Sequence, residues 1–330
     1  MSKNRAVLEP DTSVGKYKII KRVGKGGFGD VYLVKDHNNL QYALKTEYLT
    51  AEKKAMENEL KIYKILKNCR YVPVIYKSGT NEFCRYFVMD LFGPSISSCR
   101  SKLNSRKFIL RHTLFLAQKT LMAIKTIHKK GIIHRDIKAS NFLIKPYAKN
   151  PLYLLDYGVS RNIIDPKTKK MLPNVGGKFV GTTKYASPYA HIKQQLSYRD
   201  DLYSWFYMVS EFANKRLPWS KVKEKDQLYD LKVGADPSSL RGSLPYQFTE
   251  IYKLIQQYEY EDVPDYKAIY QMIEDAKAYH SIYFSGKEWS EIWSLNQEAV
   301  SLIEPDPHSK KYTEYSDEYF TDEHNCCNLI

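Results

Sequence analysis

"IIHRDIKASNFLI", Ile132 to Ile144, decides how the chain is read. Two apolar runs flank a knot of Arg135, Asp136 and Lys138, closed by the amide of Asn141. Apolar runs on either side of a charged cluster predict a strand, a tight loop and a second strand. Asp136 can accept a hydrogen bond from a hydroxyl and aim its oxygen. Lys138 can neutralise negative charge on a group in flight, and Asn141 can offer a neutral oxygen to a metal ion. Farther on, "LLDYG" (154–158) supplies the carboxylate of Asp156, suited to Mg²⁺, and Gly158 lets the chain turn away. Brought together, Asp136 and Asp156 would repel, and a divalent cation would relieve that repulsion.

Upstream lies Gly24-Lys25-Gly26-Gly27-Phe28-Gly29. Alone, a Gly-x-Gly-x-x-Gly fits a plain hairpin turn. A dinucleotide site would open into a helix after the glycines, whereas here the strand-like "DVYLV" follows. A glycine hairpin between strands suits a flap whose N–H groups lie over phosphates, because a residue without Cβ allows close approach. Lys45 ends the next apolar run, "YALK". Glu59 falls between Met56 and Tyr63, on or beside the apolar face of a predicted helix, where an unpaired charge is costly. Lys45 is its expected partner, and the pair would hold an ammonium beside nucleotide phosphates.

Short strands are predicted at 17–24, 30–36, 41–47, 72–79 and 85–91, with one helix at 52–67 carrying Met56, Leu60 and Tyr63 inward. Beyond "FGPS" the pattern turns helical. Leu110, Leu114, Ala117, Leu121, Ile124 and His128 mark one face of a long helix, stopped near Gly131. "DDLYSWFYMVSEFA" (200–213) reads as a buried helix. The expected fold is therefore α+β, with a small β-rich lobe, a hinge near 90–94 and a larger helical lobe.

The 330 residues carry a net charge of +14, which favours anionic partners such as acidic or phosphorylated proteins. No nucleic-acid motif appears, so direct nucleic-acid binding is not expected. Of five cysteines, Cys69, Cys84 and Cys99 lack metal-ligand spacing, consistent with a reducing compartment. No apolar run approaches the length of a membrane span.

Taken together, His-Arg-Asp-x-Lys-x-x-Asn, Asp-aromatic-Gly, the glycine flap and the Lys–Glu pair resemble the protein kinase superfamily over roughly residues 15–275. "GTTKYASPYAH" (181–191) stands where most members carry Ala-Pro-Glu, and "YRDDLYSWFYMVSEFANKRLPW" (198–219) follows. These stretches resemble the casein kinase 1 group, with "LPWSKVKEKDQ" closest to its tau-tubulin kinase branch. Tyr157 in "DYG" is shared with the vaccinia-related kinases of that group.

The resemblance implies a bilobal kinase fold: an N-lobe of antiparallel sheet and one helix at 15–92, and a mainly helical C-lobe at 93–275. These lie between extensions at 1–14 and 276–330. It implies a monomeric, active Ser/Thr kinase using ATP and Mg²⁺ on protein substrates, with a catalytically weak scaffold as the competing expectation. Val23, Gly24, Lys25, Gly26, Gly27, Phe28, Gly29, Asp30 and Val31 would line the nucleotide, with Lys45. Met89 would stand as gatekeeper before a hinge reading adenine through Asp90 and Phe92. Asp136, Lys138, Asn141, Lys45 and Glu59 would be catalytic, and Asn141 and Asp156 would hold metal. Thr182 resembles the threonine that bonds the catalytic Asp and Lys in Ser/Thr kinases. Lys184, Lys223 and Lys225 match a basic anion site of the group. A Tyr157 hydroxyl would need a partner.

The sequence ends in "YTEYSDEYFTDEHN" (312–325), five acids without Lys or Arg, then "CCNLI". The acidic stretch reads as a mobile tail. Cys327-Asn328-Leu329-Ile330 fits a prenylation box loosely, with Cys326 beside it for a second lipid. The cytoplasm is the default location, the nucleus an alternative, and membrane attachment is expected only through such lipidation.

Overall fold

A computed structural model describes residues 7–25, 29–51 and 54–303. The β-rich lobe is one antiparallel sheet. Its strands are β1 (Ser13–Val14), β2 (Tyr17–Lys25), β3 (Asp30–Lys35), β4 (Gln41–Tyr48), β5 (Ile75–Thr80) and β6 (Cys84–Met89), in spatial order β1-β2-β3-β4-β6-β5. Helix α1 (Ala55–Ile65) crosses between β4 and β5. The period-2 alternation of strands sorts the side chains. Tyr32, Val34, Leu44 and Val88 join Val14, Tyr17 and Ile19 in a small core on one face. Leu33, Ala43, Phe87 and Met89 face the other way and merge with α1 and the main core.

The five expected strands are present, and β1 is an addition. It pairs Ser13 with Lys18 and Val14 with Tyr17, so the lobe begins inside the stretch assigned to the N-terminal extension. On α1 the inward residues are Met56, Glu59, Ile62 and Tyr63, while Leu60 is only half-buried. Of the expected stripe Met56 and Tyr63 face inward and Leu60 does not, and Glu59, expected on or beside that face, lies inside it.

The second lobe holds α2 (Ile96–Ser101), α3 (Leu110–His128), β7 (Ile132–Ile133), β8 (Phe142–Ile144), β9 (Leu152–Leu154) and β10 (Arg161–Asn162). After these come α4 (Pro188–His191), α5 (Tyr198–Asn214), α6 (Lys225–Val233), α7 (Pro237–Arg241), α8 (Gln247–Gln257), α9 (Tyr266–Tyr279), α10 (Glu288–Trp293) and α11 (Gln297–Val300). α3 buries Leu114, Ala117, Leu121, Ile124 and His128 as its periodicity predicts. Gly131 follows at φ +72°, where an added Cβ would come within 2.6 Å of Ile164. α5 is buried from Tyr198 to Ala213 and forms the lobe's central post.

The lobe boundary expected at 275 falls inside α9. Beyond it, Trp289 and Ile292 of α10 are buried, and Trp289 packs edge-on to Phe115 of α3. The extension thus contributes to the core at least to residue 303. The acidic tail and Cys326–Cys327 lie outside the described residues. Among those described, no helix is long and apolar enough to cross a membrane.

Candidate active site

The charged loop sits where the sequence pattern puts it, between β7 and β8. β7 pairs with β10 and β8 with β9, so two short antiparallel pairs clamp both ends of the loop. Asp201, buried on α5, fixes its backbone. Oδ2 accepts from His134 N at 2.6 Å and Oδ1 from Arg135 N at 2.8 Å, while His128 Nε2 lies 2.8 Å from Oδ2. Despite burial, these histidine and amide contacts hold the Asp201 carboxyl below its ordinary range. Arg135 has φ +65°, a left-handed geometry uncommon outside glycine, and the paired amides of the loop hold it there.

Asp136 is fixed from both oxygens. Thr182 Oγ1 donates to Oδ1 at 2.7 Å, and Lys138 Nζ donates to Oδ2 at 2.6 Å. Lys138 Nζ also donates to Thr182 Oγ1 at 3.0 Å, closing a triangle. The close approach of the two segments requires Gly181, at φ +87°, where a Cβ would stand 2.2 Å from the Arg135 carbonyl. Asn141 Nδ2 donates to the Asp136 carbonyl at 2.9 Å.

Lys45 comes from the α1-facing side of β4. Its ammonium donates to Glu59 at 2.8 and 2.9 Å and to Asp156 Oδ1 at 3.0 Å, joining the lobes. Burial opposes the charge, yet the Glu59 and Asp156 carboxylates raise the Lys45 ammonium above its ordinary range. In turn, Lys45 lowers Asp156. Glu59 is 2% exposed, while the Asp156 side chain is 52% exposed in the open cleft. Asp156 adopts φ +70°. Asn58 Nδ2 ties the turn after it, donating to Gly158 O at 3.2 Å and Ser160 O at 3.0 Å.

Several expectations need correction. Asp136 and Asp156 do not face each other as bare charges, since Lys138 neutralises one and Lys45 the other. The Asp30 carboxylate is buried in the sheet, where it accepts from Tyr48 OH at 2.6 Å. Gly29 is demanded by packing, because a Cβ there would meet the Thr46 carbonyl at 1.7 Å. The Tyr157 ring is fully buried against Tyr63, but its hydroxyl has no hydrogen-bond partner among the described residues. Lys184 is paired with Glu211 at 2.5 Å. Gly26, Gly27 and Phe28 fall outside the described residues; Val23, Gly24, Lys25 and Val31 flank them on β2 and β3.

Met89 ends β6, and Asp90, Leu91 and Phe92 lead to the second lobe. The Asp90 carboxylate pins this link, accepting from Val74 N and Tyr76 OH at 3.1 Å each and from Lys145 Nζ at 2.7 Å. Outside the strand ladders, neither Asp90 O nor Phe92 N has a backbone partner among the described residues. That leaves an acceptor and a donor for a planar heterocycle.

The oxygens of Asn141 and Asp156 fit Mg²⁺, a hard cation that favours oxygen ligands. Asn141 spends its Nδ2 on Asp136, which leaves Oδ1 as the acceptor of its amide, and Lys45 occupies one Asp156 oxygen. No group of three or more His, Cys, Asp or Glu side chains capable of holding a metal occurs among the described residues. Such a site suits an ion brought with phosphates rather than one caged by protein.

Residues with site roles that the sequence pattern did not assign are Asp201, Asn58 and Gly181. Asp201 lies in the quoted "YRDDLY", where only burial among apolar neighbours hints at a structural acid.

The family model for the protein kinase domain matches residues 17–262. A probable serine/threonine-protein kinase of Dictyostelium discoideum is 34% identical over 264 residues, covering 79% of this chain and 53% of the relative. Serine/threonine-protein kinase spe-6 of Caenorhabditis elegans is 30% identical over 309 residues, covering 90% of this chain and 82% of the relative. The chain thus spans about half the length of the first relative and most of the second.

Proposed function

The chain belongs to the protein kinase family, and we propose that it transfers the γ-phosphoryl group of ATP to serine and threonine hydroxyls of proteins. One observation carries the reading: Asp136 is aimed by Thr182 and Lys138 together. A carboxylate fixed at both oxygens can accept the hydroxyl's hydrogen bond in one orientation and receive its proton as the new bond forms. Lys138 lies beside that carboxylate, placed to offset charge on the group in transfer. Lys45, oriented by Glu59, is placed to hold phosphate oxygens. Mg²⁺ held by Asn141 and Asp156 would supply charge neutralisation on the phosphates.

Within the family we place the chain in the casein kinase 1 group, nearest the tau-tubulin kinases, on the strength of residues 181–191 and 198–227. We also propose acidic or phosphorylated protein substrates. The support is the net charge of +14 and a cleft lined by Thr183, Lys184, Trp219, Lys223 and Lys225. With Lys184 committed to Glu211, Lys223 and Lys225 carry the anion-binding role there. We take the enzyme to act as a monomer in the cytoplasm, without direct nucleic-acid binding. Intact mass of native protein tests the lipidation reading: unmodified Cys326 and Cys327 end it.

Transfer of labelled phosphate from ATP–Mg²⁺ to casein tests the activity. Asp136→Asn and Asp156→Asn should each lower kcat by orders of magnitude while leaving the fold intact. No transfer by wild type would leave the scaffold reading. Equal turnover of acidic, primed and neutral peptides would remove the substrate preference.

A further inference from the structure

Lys232 is a buried lysine without a counter-ion among the described residues. It lies on α6 and is 1% exposed, and among the described residues no carboxylate pairs with it. A lysine is almost never buried unless paired, because removing an ammonium from water is expensive. Its surroundings explain its retention. Nζ donates to the carbonyls of Thr183 at 2.8 Å and Ala186 at 2.7 Å, and stands 3.1 Å from His191 Nε2. Three acceptors match the three donors of an ammonium. The rings of Tyr207 and Trp219 lie 5.5 and 5.4 Å away, so aromatic faces supply further negative potential.

What Lys232 holds is the segment that leaves the catalytic centre. Thr182 touches Asp136 and Lys138, and its carbonyl accepts from the amides of Tyr185 and Ala186. The Lys184 carbonyl accepts from Trp219 Nε1 at 2.9 Å. From Thr182 to Lys184, and again at Ala186, the carbonyls are therefore tied, two of them by one side chain. Thr183 and Lys184 also line the basic cleft, with Trp219 beneath. An apolar side chain of similar length at 232 would pack there but would leave the buried Ala186 carbonyl and the partly buried Thr183 carbonyl without this donor.

We propose that Lys232 is a positioning residue for the protein substrate: it fixes residues 183–186 as the wall against which the polypeptide around the acceptor hydroxyl docks. The proposal rests on the kinase reading and adds to it the element that shapes substrate binding. It also explains how the segment keeps its form without an Ala-Pro-Glu sequence. Loss of the ammonium proton leaves the arrangement intact. A neutral amine retains two N–H donors for the two carbonyls, and neutral His191 can donate its Nε2–H to the lone pair.

The test is steady-state kinetics of Lys232→Met with a peptide substrate, alongside Trp219→Phe, which removes the other donor to the same segment. Hydrogen exchange over 182–187 and over α5 reports folding. In Lys232→Met, peptide KM should rise roughly tenfold or more, the scale of a buried carbonyl left without its donor, with ATP KM within about twofold. Trp219→Phe should move peptide KM in the same direction. Exchange should quicken in 182–187 while α5 stays protected. A fall in kcat with both KM values unchanged would mark a merely structural role and overturn the proposal. Unchanged peptide KM in both variants, with an active wild type, overturns this proposal alone. A wild type that transfers nothing removes the kinase reading, and this one with it.

Discussion

Thr182 Oγ1 donates to Asp136 Oδ1 at 2.7 Å across 46 residues of chain. The bond joins the catalytic loop to the segment that walls the substrate side, and the shared contact of both residues with Lys138 makes it a three-way link. Thr182→Val keeps the shape and removes the donor. One oxygen of Asp136 then loses its partner, and Lys138 loses an acceptor. We expect kcat to fall roughly ten- to a hundredfold, on the scale of one or two oriented hydrogen bonds. Thr182→Ser should retain most activity. Equal losses in the two variants would assign the effect to the methyl group instead.

Tyr157 packs fully buried against Tyr63 and His134, with ring centroids 5.2 and 5.1 Å apart. Burial raises its hydroxyl pKa well above the ordinary value, so it stays neutral, and among the described residues it meets no acceptor. An unsatisfied buried hydroxyl costs about 1–3 kcal/mol. Tyr157→Phe should therefore raise stability by about 1 kcal/mol, read as a higher denaturant midpoint at unchanged slope. A lower midpoint would mean that the hydroxyl has a partner.

Much of this site was legible from residue order because its chemistry is local in sequence. Asp136, Lys138 and Asn141 share one loop, and Lys45 and Glu59 sit on adjacent elements whose periods put them on one face. What escaped detection is long-range. Asp201 supports the loop from α5, more than sixty residues away. Lys232, in "YDLKVG", reads as a solvated helix lysine, since the carbonyls that bury it come from 183 and 186. β1 is two residues long and shows no alternation to detect. On α1, Met56 and Tyr63 face inward as expected and Glu59 meets Lys45, while the apolar Leu60 stays half-buried. The ion pair with Lys45 reverses the ordinary preference for burying the apolar side chain over the charged one.

Activity should not depend on phosphorylation between Asp156 and Pro188. Neutral acceptors and strand pairs already hold that segment. Arg135 Nε donates to Val159 O at 2.6 Å, Arg161 Nη1 donates to Gln195 Oε1 at 2.9 Å, and Ile164 bridges to Met171. Thr168 is exposed and its amide is capped by Asp165 at 2.7 Å. Protein made in bacteria and stripped by phosphatase should keep its rate to within about twofold, a difference below 0.5 kcal/mol in barrier. A large loss on stripping would show a loop ordered by phosphate.

Lys232 should also leave its mark on the pH dependence of stability. Burial lowers its ammonium from 10.5 to about 7 in the folded protein. Two titratable groups face it: His191 on α4 at 3.1 Å, itself lowered to about 4 by burial, by Lys232 and by Lys225, and the Tyr207 ring on α5 at 5.5 Å. Between about pH 7 and 10.5 the unfolded chain binds this proton and the folded chain does not. Stability then rises with pH, because the state binding fewer protons gains as protons become scarce. The contribution is complete above 10.5, is lost as pH falls toward 7, and is flat below that. The slope approaches about 1.4 kcal/mol per pH unit in mid-window as an upper bound. Other lysines and tyrosines titrate there too, so the quantity to measure is the difference between wild type and Lys232→Met in denaturant unfolding at a series of pH values. The difference should shift in favour of wild type as pH rises from 7 to 10. A difference independent of pH would mean that the Lys232 ammonium keeps its proton throughout, held by the Thr183 and Ala186 carbonyls more strongly than burial opposes it.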